Sequence, residues 1–270
     1  MERFDCLREE LEARRARKSY AVVTIVQTDG STPRSSGKML VYEDGSSRGT
    51  VGGGCIEQLA RQDAAAAIRR GANILKSYNL TGEGSDTGMT CGGQMTVFIE
   101  VSRAAPLLVV CGGGHVGGSL IRAAKPVGFE VLLLDDRPKE IIAEAVALAD
   151  RFLPVKDFEA ELRDFPVEPG AYYVIATHGH ACDEDALAAA LTKQGAYVGM
   201  LGSRKKIGAV FERMRKRGFT DEQLSAVYTP IGLDLGGETP EEIAVSILSE
   251  ILVVKNGRTG EHLSRTGSCG

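Results

Sequence analysis

Apolar and polar positions along this chain follow two different rhythms. In residues 2–18, Phe4, Leu7 and Leu11 recur at near-helical spacing and predict an amphipathic helix whose apolar stripe they form. Residues 20–27 are a β-branched run and predict a strand, and residues 39–42 predict a second, with a hairpin turn at Asp44-Gly45. A glycine loop over 49–54 runs into a predicted helix over 56–70, stopped by Gly71. Strands are predicted over 74–79 and 94–101. The polar, glycine-rich stretch between them ends Thr90-Cys91-Gly92-Gly93.

Residues 102–106 read as a linker, and past them strand and helix alternate. The run 107–110 is continuously apolar, as expected of a parallel strand buried on both faces. Predicted strands follow at 130–134, 152–155, 172–176, 197–201 and 227–228. Predicted helices follow the glycine loop to 125 and cover 138–149, 183–193, 204–217 and 240–254. The polar tail from 256 is expected to fray. Two domains are predicted, 1–102 and 103–270. The class is α/β, with a parallel-sheet C-terminal domain and a smaller α/β N-terminal domain.

The strongest motif is a strand, then Gly112-x-Gly114-x-x-Gly117, a helix, a strand and Asp135. The first glycine permits the tight turn, the second lets backbone approach a pyrophosphate, and the third lets helix and strand pack closely. The helix N-terminus, at His115, offers N–H groups to an anion. Asp135 stands 23 residues after Gly112, where a ribose-binding acid belongs. This order predicts a Rossmann-like domain. Whether a dinucleotide such as NAD(P) is its ligand is a separate question. Arg137 suits a 2′-phosphate or a plain surface position.

His178-x-His180-x-Cys182-Asp183 follows a strand. Imidazole and thiolate are zinc ligands, but the chain has only two other histidines. The reading adopted is a ligand-facing loop with no metal, and Asp183 as N-cap of the next helix. The loop 30–38 is not a P-loop, because its glycines are misplaced and Met39 stands where Ser or Thr is needed. Arg34 in it is a candidate phosphate contact; the alternative is a turn set by Thr32-Pro33. Gly52-Gly53-Gly54-Cys55 places a thiol at a helix start, a position that suits a nucleophile or a soft-metal ligand; the alternative is a buried cap-region cysteine. Arg204-Lys205-Lys206 at a helix start opposes the helix dipole and marks either a solvated face or an anion patch.

Composition narrows the class. Glycine occurs 33 times, against about 19 at ordinary usage, and its clustering suits close backbone approach to a ligand. A net charge of −4 argues against nucleic acid. No apolar run reaches the roughly 20 residues of a membrane span, and the charged N-terminus lacks a signal core. A cytoplasmic protein is expected. The six cysteines, at 6, 55, 91, 111, 182 and 269, form no C-x-x-C pair and are expected as thiols.

Taken together, several stretches resemble the xanthine dehydrogenase accessory factor family, XdhC/CoxI. They are Thr50-Val51-Gly52-Gly53-Gly54-Cys55-Ile56-Glu57, Cys111-Gly112-Gly113-Gly114-His115-Val116-Gly117, Asp135-Asp136-Arg137-Pro138, Thr177-His178-x-His180, Gly199-Met200-Leu201-Gly202-Ser203-Arg204-Lys205-Lys206 and Gly232-Leu233-Asp234-Leu235-Gly236-Gly237-Glu238-Thr239-Pro240. The resemblance implies binding of the molybdenum cofactor (molybdopterin), shelter during sulfuration, and delivery to an apo molybdenum hydroxylase. It implies a cysteine desulfurase as sulfur donor and an accessory protein rather than an enzyme. On that reading Cys55 faces the metal or relays sulfur, while Gly52, Gly53, Gly54, Gly112, Gly114 and Gly117 contribute anion contacts. Two competing readings are an NAD(P)-dependent oxidoreductase, which leaves the Gly-Gly-Gly-Cys loop unexplained, and a nucleotide-sensing regulator. A homodimer is compatible with all three.

Overall fold

The computed structural model describes residues 4–80, 93–167 and 169–264. Cys91, Cys269 and most of the polar stretch before residue 93 lie outside the described residues. The chain divides into two compact units, residues 1–104 and 105–270.

The first unit contains α1 (Cys6–Arg15), β1 (Tyr20–Asp29), β2 (Lys38–Tyr42), β3 (Ser47–Thr50), α2 (Gly54–Arg70), β4 (Ile74–Asn79) and β5 (Gln94–Ser102). Its strands form an antiparallel sheet in the order β3-β2-β1-β5-β4. Alternation along β1 sorts its side chains. Ala21, Val23 and Ile25 pack with Ile56, Ala60, Ala64 and Ala67 of α2, whereas Tyr20 and Val22 cluster with Ala13 and Leu40. The predicted apolar stripe of α1 is only partly the buried one. Phe4 packs beside that cluster, but Leu7 and Leu11 are 78% and 49% exposed, and Ala13 is the buried residue. Asp5 caps α1 by accepting from the Leu7 N–H. Ser47-Arg48-Gly49-Thr50 shows no apolar alternation that would mark β3; its pairing with β2 makes it a strand.

The second unit contains β6 (Leu107–Cys111), α3 (His115–Ala124), β7 (Glu130–Asp135), α4 (Ala143–Leu148), β8 (Arg151–Pro154), α5 (Phe158–Asp164), β9 (Tyr172–Ile175), α6 (His180–Thr192), β10 (Tyr197–Met200), α7 (Arg204–Lys216), α8 (Asp221–Ser225) and α9 (Pro240–Asn256). The sheet is parallel, in the order β10-β9-β6-β7-β8. This is the Rossmann-like arrangement, with the order reversing at β6. The continuous run in β6 divides between the two faces. Leu107, Val109 and Cys111 pack with residues of α5, α6 and α7, while Leu108 and Val110 pack with residues of α3 and α9.

Three predicted features depart from expectation, and the short helices α5 and α8 have no counterpart in the sequence pattern. The helix predicted over 138–149 is confined to α4. The Arg137 N–H donates to the Asp135 side chain, holding the chain in a turn past the strand end. α6 begins at His180 with Gly179 as N-cap, so Asp183 lies inside the helix and is not its cap. The predicted strand at 227–228 makes a single parallel bridge, Gly199 with Tyr228.

Candidate functional site

In the second unit the predicted site residues gather where β6 and β7 end. Gly112 has φ +108, and a Cβ there would lie 2.3 Å from the Ala176 carbonyl oxygen. A Cβ on Gly117 would lie 1.9 Å from the Gly112 oxygen. Both glycines are demanded by the fold itself. Gly114 is different: its Cβ position meets only the Arg137 guanidinium, at 3.7 and 3.9 Å. Gly114 is also the N-cap of α3, with no side chain closing the helix end, and the exposed His115 follows it. The open first-turn N–H groups and helix dipole there suit an anion. A groove of about 420 Å3 runs past Gly113, Gly114, His115, Arg137 and Glu241.

Asp135 ends β7 with 1% exposure. Its Oδ2 accepts from the Gly113 N–H at 2.6 Å and from Arg137 Nη2 at 2.7 Å. Its Oδ1 accepts from the Arg137 N–H and from Arg137 Nε, both at 2.9 Å. Burial alone would raise this carboxyl, but the guanidinium and the two N–H groups outweigh it and hold it below the usual carboxylate range. Asp135 thus braces the glycine loop through Gly113. The bidentate partner Arg137 is the feature that sequence reasoning had left open.

Beside this loop lies a second polar group. His178 Nδ1 is 3.4 Å from Asp136 Oδ1, and the Cys182 thiol donates to Asp136 Oδ2 at 3.7 Å. Asp183 is fully buried, accepts from Thr177 Oγ1 at 2.7 Å and pairs with Lys206 of α7. Lys206 is therefore held by a carboxylate, while Arg204 and Lys205 are exposed. The side chain of His180 lies outside the described residues. Among the described residues, no group of three or more His, Cys, Asp and Glu side chains is placed to hold a metal ion.

In the first unit Gly52, Gly53 and Gly54 have φ of +139, +76 and +62, three left-handed residues in succession that only glycine adopts readily. The Gly52 N–H donates to Thr50 Oγ1, and the Gly53 N–H donates to Glu57 Oε2, both at 3.1 Å. Thr50 Oγ1 also donates to Glu57. Glu57 reaches back from the first turn of α2 as in a capping box. Sequence reasoning did not single it out, although an acid one turn after a glycine cap is the signal for it. The bracing leaves the N–H groups of Gly54, Cys55 and Ile56 without intrahelical partners. The Cys55 thiol is exposed among them. A Cβ on Gly53 would meet nothing within 4 Å, and one on Gly52 would lie 3.1 Å from Pro33 Cβ. Arg34, next to Pro33, is exposed.

The other described cysteines are held as thiols. Burial, then Asp183 and Asp135, push Cys111 up to about 12. Burial and the hydrogen bond to Glu10 push Cys6 up to about 11. Burial and Asp136 raise Cys182.

Comparison with known proteins adds a family context. Residues 108–251 match the model of the XdhC Rossmann domain, and residues 13–79 match that of the XdhC and CoxI family. The chain is 34% identical over 242 residues to the uncharacterized protein YqeB of Escherichia coli K12, covering 89% of this chain and 44% of YqeB. It therefore spans less than half of that relative. It is 26% identical to the molybdenum cofactor insertion chaperone PaoD of the same organism, covering 92% of this chain and 87% of PaoD. The crystal structure of a xanthine dehydrogenase from Bacillus halodurans shares the fold, with a TM-score of 0.51 and 21% identity over 97% of both chains.

Proposed function

Because the chain belongs to the XdhC and CoxI family, we propose that it binds the molybdenum cofactor and acts as an insertion chaperone for an apo molybdenum hydroxylase of the xanthine dehydrogenase type. The observation that carries this reading is the exposed Cys55 thiol on the first turn of α2, directly after three left-handed glycines. The name of PaoD, a molybdenum cofactor insertion chaperone, supports the same role.

The residues present fit such a group. When bound, the cofactor supplies a thiolate-ligated molybdenum centre on a phosphorylated pterin. The N–H groups of Gly54, Cys55 and Ile56 would hold its anionic part, with Arg34 as a counter-charge. Cys55 would face the metal as a soft ligand. The Glu57 and Thr50 bonds keep the loop in its left-handed form, so its donors need no reordering on binding. The second unit, taken by itself, carries Gly114 and Arg137 beside its own groove, where they would suit an anion.

Sulfuration support is part of the proposal. The Cys55 thiolate would attack the outer sulfur of a persulfide carried by a cysteine desulfurase. The donor S–S bond breaks, a new S–S bond forms on Cys55, and the desulfurase leaves as a thiolate. No outside oxidant or reductant is needed.

The test is anaerobic incubation of the purified protein with released molybdenum cofactor, gel filtration, and assay of retained pterin and molybdenum, with NAD(P)H titrated in parallel. Stoichiometric retention that nicotinamide nucleotides do not displace is expected. Absence of retention, with micromolar nucleotide binding instead, would overturn the carrier role. Full retention and full activation of the target enzyme by Cys55→Ala would remove Cys55 from it.

A further inference from the structure

In a glycine-loop fold of this kind, the acid ending the second strand receives the hydroxyls of a ribose. Asp135 occupies that place but has no acceptor to offer. Its two oxygens already take four donors, the Gly113 N–H and three N–H groups of Arg137, and it is 1% exposed. A ribose diol arriving there could accept from the free donors but would find no Asp135 oxygen left to take its own hydroxyl hydrogens.

Arg137 is the other half of the arrangement. Nε and one N–H of Nη2 bind Asp135, so the guanidinium plane is fixed. Nη1 makes no hydrogen bond among the described residues and lies 3.9 Å from the Cβ position of Gly114, at the wall of the groove. The Gly114 end of the groove therefore offers Nη1 together with the first-turn N–H groups of α3. Two carboxylates also line the groove, Glu144 paired with Arg122 and Glu241 accepting from the Ser119 hydroxyl.

We infer that this groove selects a ligand carrying a phosphate monoester, held by Arg137, and discriminates against one that presents only a ribose diol there. A monoester brings close to two negative charges and three acceptor oxygens, which match a cluster made of donors. A diester phosphate brings one charge and fewer free oxygens. The inference deepens the carrier reading for the second unit, since a phosphorylated pterin and a 2′-phosphorylated nucleotide are both sources of such a monoester.

The test is calorimetric titration of the full chain with two matched pairs. One is NADP+ against NAD+, which differ by a single monoester. The other is a pterin with a phosphomonoester side chain against its phosphatase-treated form. In at least one pair the phosphorylated member is expected to bind about ten- to hundredfold tighter, the scale of hydrogen bonds to a charged group. Inorganic phosphate is expected to compete with it. A preference below about tenfold in both pairs would overturn the inference. A preference in the nucleotide pair alone would leave it standing and count against the carrier reading for this unit. Arg137→Gln is expected to abolish the preference and Arg137→Lys to retain part of it, with circular dichroism confirming folding. A preference undiminished in a folded Arg137→Gln protein would overturn the assignment to Arg137.

Discussion

Gly117 and Gly118 are adjacent in α3, and the same substitution at each is expected to act in opposite directions. Alanine in place of glycine inside a helix gains up to about 1 kcal/mol of propensity. At Gly118 nothing opposes that gain, because the new Cβ would lie 3.7 Å from Ala145 Cβ, an ordinary contact. At Gly117 the new Cβ would lie 1.9 Å from the Gly112 carbonyl oxygen, where ordinary contact begins at 3.4 Å. Both partners are backbone, so no side chain can swing aside. Either α3 moves off β6 or the glycine loop shifts, and overpacking of this kind costs about 1–3 kcal/mol, here at the upper end. The net for Gly117→Ala is a loss of about 1–2 kcal/mol, and for Gly118→Ala a gain of about 0.5–1 kcal/mol. For a unit of this size each kcal/mol moves the melting midpoint by about 2–4 °C. Thermal unfolding followed by far-UV circular dichroism reads both variants. Hydrogen exchange over residues 107–124 assigns the change to this unit. If Gly117→Ala melts at or above the parent protein, the close approach of α3 to the loop does not govern the stability of this unit, and the reasoning fails.

Three further outcomes are expected. Brief alkylation at pH 8 with site-resolved mass spectrometry should modify Cys55 ahead of Cys6, Cys111 and Cys182, since Cys55 is exposed and the other three thiols are raised; equal labelling of Cys111 would contradict the buried β6 end. Tyr197→Phe removes the phenol that donates to Glu250, leaving that carboxylate with the Gly232 N–H. A loss of about 1–2 kcal/mol in urea unfolding should follow, and an unchanged midpoint would show that the bond contributes nothing. Asp150 is held low. Burial would raise it, but the Lys125 ammonium and the Val131 N–H outweigh that. The unfolded chain therefore binds the proton first, and stability from this group is full above about pH 4 and lost as pH falls through the folded value. The stability difference between the parent and Asp150→Asn should be widest near pH 6 and should close in acid.

Much of this protein was legible along the chain. Most strand positions, the two glycine loops leading into helices and the β–α alternation after residue 106 follow from neighbours two to four residues apart, and local periodicity encodes them directly; β3, set by its pairing with β2, does not. The spacing from Gly112 to Asp135 likewise placed the acid beside the loop. Tertiary structure decided what that acid does. Its oxygens are filled by Arg137 and Gly113, and which donors reach a carboxylate depends on distances across the fold. The same holds for Lys206, whose partner Asp183 is on another helix, and for α1, where packing against the sheet buried Ala13 and left Leu7 and Leu11 exposed. Periodicity determines which elements form. The choice of buried face, and of the partner for each charge, is a competition that only the assembled chain resolves.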